Sequence, residues 1–366
     1  MRLLFLLPIA VCLAGCAHTG GPNHALHIRD TAADYAQLGL TDTVAPAEDG
    51  RHTRTGTDEY EWWYLDGVAN DGTVVVVIFS DNWLPGEHTR KVTIEVTPPG
   101  KPTRAGTFRS GEPGQFSRER AAVHIGNSRF EGDLAHYSIT VDPNELNGVG
   151  CQLQLERRVA SYRPGTGVLA SDDDFFAWVV AVPDGALTGT ITVDGEALAF
   201  SGRGYHDHNW GNVPPWALMR NWWWGRGAVG DDTVVMAELR PAKGRGERSI
   251  ALVYVAGPGG VIEKAHGEGT RLLEGPSSSN EDSTHGALQP EHVTLETATG
   301  VSAQLRRRGP PLTSTDLLAG QPGLVRFLAK LAGRSPWYTR WTSAVTVDAK
   351  GAKSQGKGTI EFMDFE

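Results

Sequence analysis

The chain has 366 residues, with 34 Lys and Arg against 43 Asp and Glu, which gives a formal net charge of −9. This length is sufficient for two domains of ordinary size. No basic cluster interrupts the acidic composition, and phosphate binding needs clustered Lys and Arg. The composition therefore excludes nucleic acid as an expected partner, and an acidic exterior has little attraction for anionic lipid surfaces.

The first residues have the pattern of a bacterial lipoprotein signal. Arg2 precedes an apolar run over residues 3–13, which ends in Leu13-Ala14-Gly15-Cys16. Small residues before a cysteine are typical of a site where the cysteine is acylated and becomes the new N-terminus. We expect residues 1–16 to be this signal with lipidated Cys16, and the non-acidic Ala17 favours the outer membrane, facing the periplasm. The alternative is ordinary secretion with a coincidental cysteine.

The segment after the signal has a different texture from the rest of the chain. Residues 17–56 are polar and small, which predicts a tether between the lipid and the globular part, with a short helix starting near Asp30–Tyr35. Cys12 is removed with the signal and Cys16 carries lipid, so Cys151 has no partner for an internal disulfide.

From residue 57 onward, short apolar or alternating runs are separated by turn residues such as Asn70-Asp71-Gly72 and Val193-Asp194-Gly195. Both halves open with a Trp-rich run, at 62–64 and 222–224, which indicates two similar domains. The pattern predicts an all-β fold with two consecutive antiparallel barrel or sandwich domains, at residues 57–200 and 201–366.

One short helix is predicted near the C-terminus. Leu324–Leu331 has apolar residues at helical spacing, and Gly333 is suited to ending the helix. We expect this helix to pack over a barrel, and the alternative is that it dips into a membrane face.

The stretch Gly204–Gly211 concentrates more chemical groups than any other part of the chain: two imidazoles, a carboxylate, a phenol, an indole and an amide. On a strand the side chains alternate between the two faces. One face then carries His206, His208 and Trp210, and the other carries Tyr205, Asp207 and Asn209. Only one of these two sets of side chains can face the interior of a barrel.

The six residues His206–Gly211 resemble the HDHNWG signature of the carotenoid 1,2-hydratase (hydroxyneurosporene synthase) family, whose members have tandem lipocalin-like domains. Three further stretches stand in the family's order, and the resemblance covers roughly residues 57–366: Glu61–Gly67, Trp222–Gly227 and Gly356–Phe362. The resemblance implies two lipocalin-like β-domains and a hydratase that adds water to a C=C bond of a hydrophobic isoprenoid or carotenoid without a cofactor.

The resemblance also implies roles for individual residues. The family's functional His-x-Trp matches His208 and Trp210, which would turn the even-numbered face inward and make Asp207 a supporting residue. The family's acid lies in a Tyr-x-Asp on a later strand, where this chain has Met236 and Glu238. The carboxyl group is retained with one more methylene, and the phenol is lost.

Physical chemistry supports Glu238 as an acid, since a carboxyl group against apolar neighbours has a raised pKa and can protonate a double bond. Indole faces can stabilise the carbocation, and His208 can activate water. The alternative is that Glu238 has no catalytic role and is an exposed strand residue or an ion-pair partner of Arg226. The remaining predicted ligand contacts are Tyr205, His206, Trp222, Trp224, Trp62, Tyr64 and Met236. The alternative for the residues of the two Trp-rich runs is that they are buried core residues.

Other functions remain open from the sequence. The first is a lipid-anchored carrier that holds an apolar ligand without changing it, and the second is an isomerase or cyclase that uses the same pocket. His206-x-His208 has the spacing of two metal ligands on a strand, but no clear third ligand is present, so no metal is predicted. The expected partners are a hydrophobic small molecule and, through the lipid anchor, a membrane; the oligomeric state is not predicted.

Overall fold

The computed structural model describes residues 24–54, 59–82, 89–278, 288–316, 318 and 336–366. The predicted signal with Cys16 and the predicted helix Leu324–Leu331 lie outside these residues. Within the described part of the chain, no helix is long and apolar enough to cross a membrane.

Within the described residues, the first sheet is antiparallel and has 13 strands, in the order β5-β4-β3-β2-β13-β12-β10-β9-β8-β7-β6, with β11 joined to β12 and β1 joined to β11. Apolar side chains alternate along β4, β9 and β10, which explains their strand form. The strands are β1 (His27–Ile28), β2 (Tyr60–Ala69), β3 (Val74–Asp81), β4 (Arg90–Thr97), β5 (Arg104–Ser110), β6 (Gln115–Phe116), β7 (Ala122–Ile125), β8 (Ser128–Gly132), β9 (His136–Val141), β10 (Val149–Arg157), β11 (Val168–Ser171), β12 (Asp174–Val193) and β13 (Glu196–Gly211).

The second sheet is also antiparallel, and the described residues give it nine strands in the order β17-β16-β15-β14-β24-β23-β22-β21-β18. Its strands, together with a separate two-stranded ribbon formed by β19 and β20, are β14 (Met219–Val229), β15 (Asp232–Pro241), β16 (Ile250–Gly257), β17 (Gly260–His266), β18 (Thr270–Glu274), β19 (Ser277–Ser278), β20 (Gln289–Pro290), β21 (His292–Thr297), β22 (Val301–Asp316), β23 (Trp337–Ala349) and β24 (Ala352–Asp364). The all-β prediction with two consecutive antiparallel domains is confirmed.

The chain changes from one sheet to the other after the histidine-rich strand. β13 runs to Gly211 and pairs with β2 and β12 of the first sheet. Pro214 and Pro215 follow, and proline cannot continue a strand ladder, so the short helix α2 (Pro215–Leu218) leads into β14 instead. The boundary predicted at residue 200 falls inside β13, and the sheets divide between Gly211 and Met219.

The N-terminal segment is part of the folded protein. Helix α1 (Ala32–Leu38) begins with a capping box of Thr31 and Asp34, close to the predicted start. β1 pairs with β11, and the 3₁₀ helix Pro46–Asp49, whose last two residues are buried, contacts β12 of the first sheet. The prediction of a tether over 17–56 is therefore wrong for residues 24–54.

Most of the buried apolar side chains among the described residues belong to three clusters. The first-sheet core includes Trp63, Phe79, Phe130 and Leu153, and the second-sheet core includes Trp223, Met236 and Trp341. The inter-sheet core is formed by side chains of both sheets, including Tyr205, Trp178, Trp224 and Leu252. Strands that border the inter-sheet core have two buried faces, as the burial of both odd and even positions in β13 shows.

The motif Gly356-Lys357-Gly358 needs its glycines because β24 lies very close to β14. A Cβ atom on Gly358 would lie 2.0 Å from the backbone oxygen of Arg226, and one on Gly356 would lie 1.7 Å from that of Ala228. These are backbone atoms, which cannot move aside as a side chain can.

We predict that Gly358→Ala lowers the free energy of unfolding by about 1–3 kcal/mol or more, because the added methyl group forces β24 away from β14. The measurement is urea denaturation, with Gly111→Ala as the matched control, since a Cβ there meets nothing within 4 Å. Equal stability of the two variants would contradict the prediction.

Candidate active site

A pocket of about 110 Å³ lies between the two sheets, within the inter-sheet core. Its walls come from alternate positions of facing strands, so five strands each contribute two residues that are two apart, and β24 contributes one. The first sheet contributes one wall and the second sheet the other, and the lining residues are Trp62, Tyr64, Phe176, Trp178, Asp207, Asn209, Trp222, Trp224, Ala237, Leu239 and Glu361. The lining is mostly aromatic and aliphatic with a few polar groups, as is usual for small-molecule pockets.

Asp207 is the carboxyl group of the first wall, and it is only 6% exposed. Its Oδ2 accepts hydrogen bonds from Trp178 Nε1 and the Tyr205 hydroxyl, both at 2.8 Å, and Oδ1 accepts from Asn209 Nδ2 at 2.9 Å. Burial raises the pKa of Asp207 to about 6, and the three hydrogen bonds only partly oppose this effect. This carboxyl group can therefore both donate and accept a proton near neutral pH.

Glu361 is the carboxyl group of the second wall. Arg340 Nε donates to its Oε1 at 2.7 Å, and the Tyr64 hydroxyl is 3.4 Å from the same oxygen. Arg340 also donates to the Tyr64 oxygen at 2.6 Å. Burial raises the pKa of Glu361, and the guanidinium of Arg340 opposes this rise. Glu361 thus belongs to a buried ion pair at the edge of the pocket.

The even-numbered side chains of β13 enter the first-sheet core. His206 Nε2 lies 3.1 Å from Asp49 Oδ2, and His208 Nε2 lies 2.9 Å from Glu61 Oε1. Burial alone would lower the pKa of His206, but the Asp49 carboxylate raises it above its ordinary value. Asp49 comes from the N-terminal segment that was predicted to be a tether, so sequence reasoning missed this partner.

Trp210 also lies on this side of β13, stacked on His52 with ring centroids 3.8 Å apart. His208 and Trp210 are therefore not among the residues that line the pocket. The prediction that the even-numbered face looks into the ligand chamber is wrong. The odd-numbered face does so, and it includes Asp207, a predicted catalytic residue to which the resemblance gave a supporting role.

Glu238 is buried but faces away from the pocket. Ala237 and Leu239 on the same strand line the pocket, so Glu238 between them points to the opposite face, where Met236 belongs to the second-sheet core. Its carboxylate accepts a hydrogen bond from Arg240 Nε at 2.8 Å. Burial raises the pKa of Glu238, and Arg240 opposes the rise.

The predicted chamber that Glu238 shares with His208 and Trp210 does not exist, since the inter-sheet core separates the two faces. Arg226, the alternative partner considered for Glu238, is instead paired with Asp66.

The predicted ligand contacts divide in a similar way. Four of them line the pocket: Trp62, Tyr64, Trp222 and Trp224. Tyr205 lies beside it and donates to Asp207, whereas His206 and Met236 belong to the cores on either side. The sequence analysis missed the other six lining residues, which are Phe176, Trp178, Asn209, Ala237, Leu239 and Glu361. The aromatic run Phe175-Phe176-Ala177-Trp178 was the available signal for two of them.

Among the described residues, no group of three or more His, Cys, Asp or Glu side chains is arranged to hold an ion. The ring nitrogens of His206 and His208 instead face the carboxylates of Asp49 and Glu61.

The fold and site define a tandem antiparallel β protein with an aromatic pocket between its sheets. No protein-family model matches the chain. Hydroxyneurosporene dehydrogenase of Chlorobaculum tepidum is 27% identical over 48% of this chain and 55% of its own length. The quinolone epoxide rearrangement protein penF of Penicillium thymicola is 25% identical over 66% of this chain and 72% of its own length. The chain thus spans only about half the length of the first of these relatives.

A solved structure, kievitone hydratase from Nectria haematococca, has the same fold with a TM-score of 0.59 and 13% identity, and it covers 88% of this chain and 93% of that one. The chain is thus similar to a group of tandem β-barrel proteins that includes hydroxyneurosporene dehydrogenase and the quinolone epoxide rearrangement proteins. The resemblance inferred from the His206–Gly211 signature is confirmed at the level of family and fold.

We predict that Asp207 makes the protein less stable as the pH rises. Its folded pKa of about 6 lies above the ordinary value of 3.8, so its protonated form is favoured by folding. The stabilisation is complete below about pH 4 and about 3 kcal/mol is lost as the pH rises to about 6 and above. Urea denaturation of the wild type and Asp207→Asn across this range should show the wild type losing this amount relative to the variant. A difference that does not change with pH would contradict the assignment.

Proposed function

We propose that this protein is an acid–base enzyme for a hydrophobic unsaturated substrate and that Asp207 is its acid. The leading reaction is addition of water to a C=C bond of an isoprenoid or carotenoid. The observation that carries the proposal is the position of Asp207: a carboxyl group with a pKa of about 6 that faces a largely aromatic pocket.

The pKa of Asp207 suits proton transfer to carbon. At pH 7 about one tenth of the molecules carry the proton, so a protonated carboxyl group is available as a general acid without a low pH. Trp178, Tyr205 and Asn209 hold the carboxyl group in one orientation by hydrogen bonds. All three donors are neutral, so none of them fixes the group in its ionised form as a cation would.

The pocket can also stabilise the cation that follows protonation of a double bond. Among the described lining residues are four indoles: Trp62, Trp178, Trp222 and Trp224. Indole faces attract cations, and the interaction is worth about 2 kcal/mol or more when water is excluded. An aromatic lining also limits the access of water to the carbocation. Water can then attack the carbocation only from a part of the pocket that water reaches.

The family relatives support this class of chemistry. Kievitone hydratase and the quinolone epoxide rearrangement proteins carry names that describe water addition and rearrangement of small organic molecules. Both reactions can begin with protonation by an enzyme acid. The same pocket therefore also supports an isomerase or cyclase, in which the cation loses a proton or rearranges without capturing water.

The pocket volume of about 110 Å³ is below the roughly 300 Å³ typical of pockets that enclose a drug-sized ligand. It fits one terminal isoprene unit or one ring, so a long isoprenoid would place only its reacting end between the sheets. We also propose that acylation at Cys16 holds the protein at the outer membrane, where such a substrate dissolves.

We predict that the wild type converts an acyclic carotenoid, supplied as lycopene in detergent micelles in deuterated buffer, to a deuterated alcohol. Asp207→Asn should reduce deuterium uptake by at least 100-fold, because the amide cannot deliver a proton. Mass spectrometry of the recovered lipid is the measurement.

Glu238→Gln is the matched control, because it also removes a buried carboxyl group. Glu238 lies on β15, whose other face lines the pocket. The variant should keep uptake within about threefold of wild type. If lycopene binds and returns unlabelled from the wild type, the protein is a carrier; loss of uptake in Glu238→Gln alone would restore Glu238 as the acid.

A further inference from the structure

Hydration needs a group that takes a proton from water in addition to an acid that gives one. His208, the residue expected to activate water, hydrogen-bonds Glu61 in the first-sheet core, away from the pocket. Among the described residues that line the pocket, the carboxyl groups are Asp207 and Glu361. Building on the function proposed above, we propose that Glu361 is the base that activates the attacking water.

The two carboxyl groups come from opposite walls of the pocket. Asp207 is paired with Tyr64 across β13 and β2 of the first sheet, whereas Glu361 is paired with Trp224 across β24 and β14 of the second. Tyr64 links the two walls, because its backbone is beside Asp207 and its hydroxyl is 3.4 Å from Glu361 Oε1. An acid and a base on different walls suit a reaction that adds hydrogen to one carbon and oxygen to another.

Their surroundings divide the two roles between them. Asp207 is hydrogen-bonded by neutral donors alone, whereas Glu361 is in contact with the permanent cation of Arg340. The guanidinium of Arg340 favours the anionic form of Glu361 and opposes the rise in its pKa that burial causes, whereas no cation among its hydrogen-bond donors does this for Asp207. Two carboxyl groups in one pocket with different neighbours are typical of an acid and base pair.

Charged and titratable side chains of two neighbouring strands surround Glu361 in the described part of the chain. Arg340 and Tyr338 approach from β23, and Tyr64 and Asp66 approach from β2. Asp66 is itself paired with Arg226 of β14 at 2.6 Å. Arg340 is thus the cation in direct contact with Glu361, and its removal tests how the anion is maintained.

The step balances without any other reactant. Asp207 gives its proton to one alkene carbon, which forms a C–H bond and leaves the other carbon cationic. Water adds its oxygen to that carbon as Glu361 accepts a water proton. Transfer of this proton to solvent and protonation of Asp207 from solvent restore both groups, so the net reaction is alkene plus water to alcohol.

The test uses lycopene in deuterated buffer with the full chain and separates the two proton transfers. We predict that Glu361→Gln lowers alcohol formation by at least 100-fold but still places deuterium in recovered lycopene, because Asp207 can protonate the alkene and the cation can lose a proton again. Asp207→Asn should give neither product. If Glu361→Gln does not fold, Glu361→Asp tests the same step, since its shorter carboxylate should lower the alcohol yield and leave deuterium uptake intact.

Arg340→Gln is the matched variant, because it breaks the same ion pair but leaves the Glu361 carboxyl group in place. It should still form alcohol, within about tenfold of wild type at pH 8, with the acid side of its pH profile moved to higher pH. A purely structural role for the pair predicts that Arg340→Gln loses alcohol formation together with Glu361→Gln, and that result would overturn the inference.

Alcohol formation by Glu361→Gln within about threefold of wild type would also overturn it and leave the role of Asp207 intact. Deuterium uptake without alcohol in the wild type would reject Glu361 as a base while keeping an acid-catalysed isomerase. No uptake by the wild type would overturn the function proposed for the pocket and this inference together.

Discussion

The strict alternation of β13, with both of its faces buried, is the constraint on which the rest of the site depends. His206 and His208 are fixed in the first-sheet core by Asp49 and Glu61, and a register shift of one residue would move both imidazoles into the aromatic pocket. Because such a shift would separate buried charged groups from their partners, it would be costly. The histidines therefore decide that Tyr205, Asp207 and Asn209 face the second sheet.

The pocket exists because two sheets meet with apolar faces that do not fill the space between them. Most of its lining is aromatic, yet each sheet places one carboxyl group at its edge. Burying Glu361 is tolerable because Arg340 and Tyr64 contact the same oxygen. Burial raises the pKa of Asp207, and no cation among its hydrogen-bond donors opposes that rise. Asp207 and Glu361 are both carboxyl groups, so the different roles proposed for them depend on their neighbours.

The N-terminal segment contributes more to this arrangement than its composition indicates. Residues 24–54 look polar enough for a linker, but Glu48 and Asp49 are buried, and Asp49 is the partner of His206. Arg163 pairs with Glu48 at 2.7 Å and ties the segment to the connection between β10 and β11. A polar composition does not show whether a carboxylate will be buried beside a cation or an imidazole in the folded protein. That pairing depends on residues more than a hundred positions away.

The amino-acid sequence by itself determined the all-β class, the two-sheet organisation, the family resemblance and the chemical density of the stretch Gly204–Gly211, because strand length, turn residues and local motifs are encoded within a few consecutive residues. It also identified Trp62, Tyr64, Trp222 and Trp224 as pocket residues, since the Trp-rich runs are visible in isolation. It did not determine which face of β13 meets the pocket, nor that Glu361 lies there while Glu238 does not. Alternation assigns residues to two faces but does not say what covers each face. Only the packing of one sheet on the other, with Asp49 and Arg340 supplied from distant parts of the chain, decided that question.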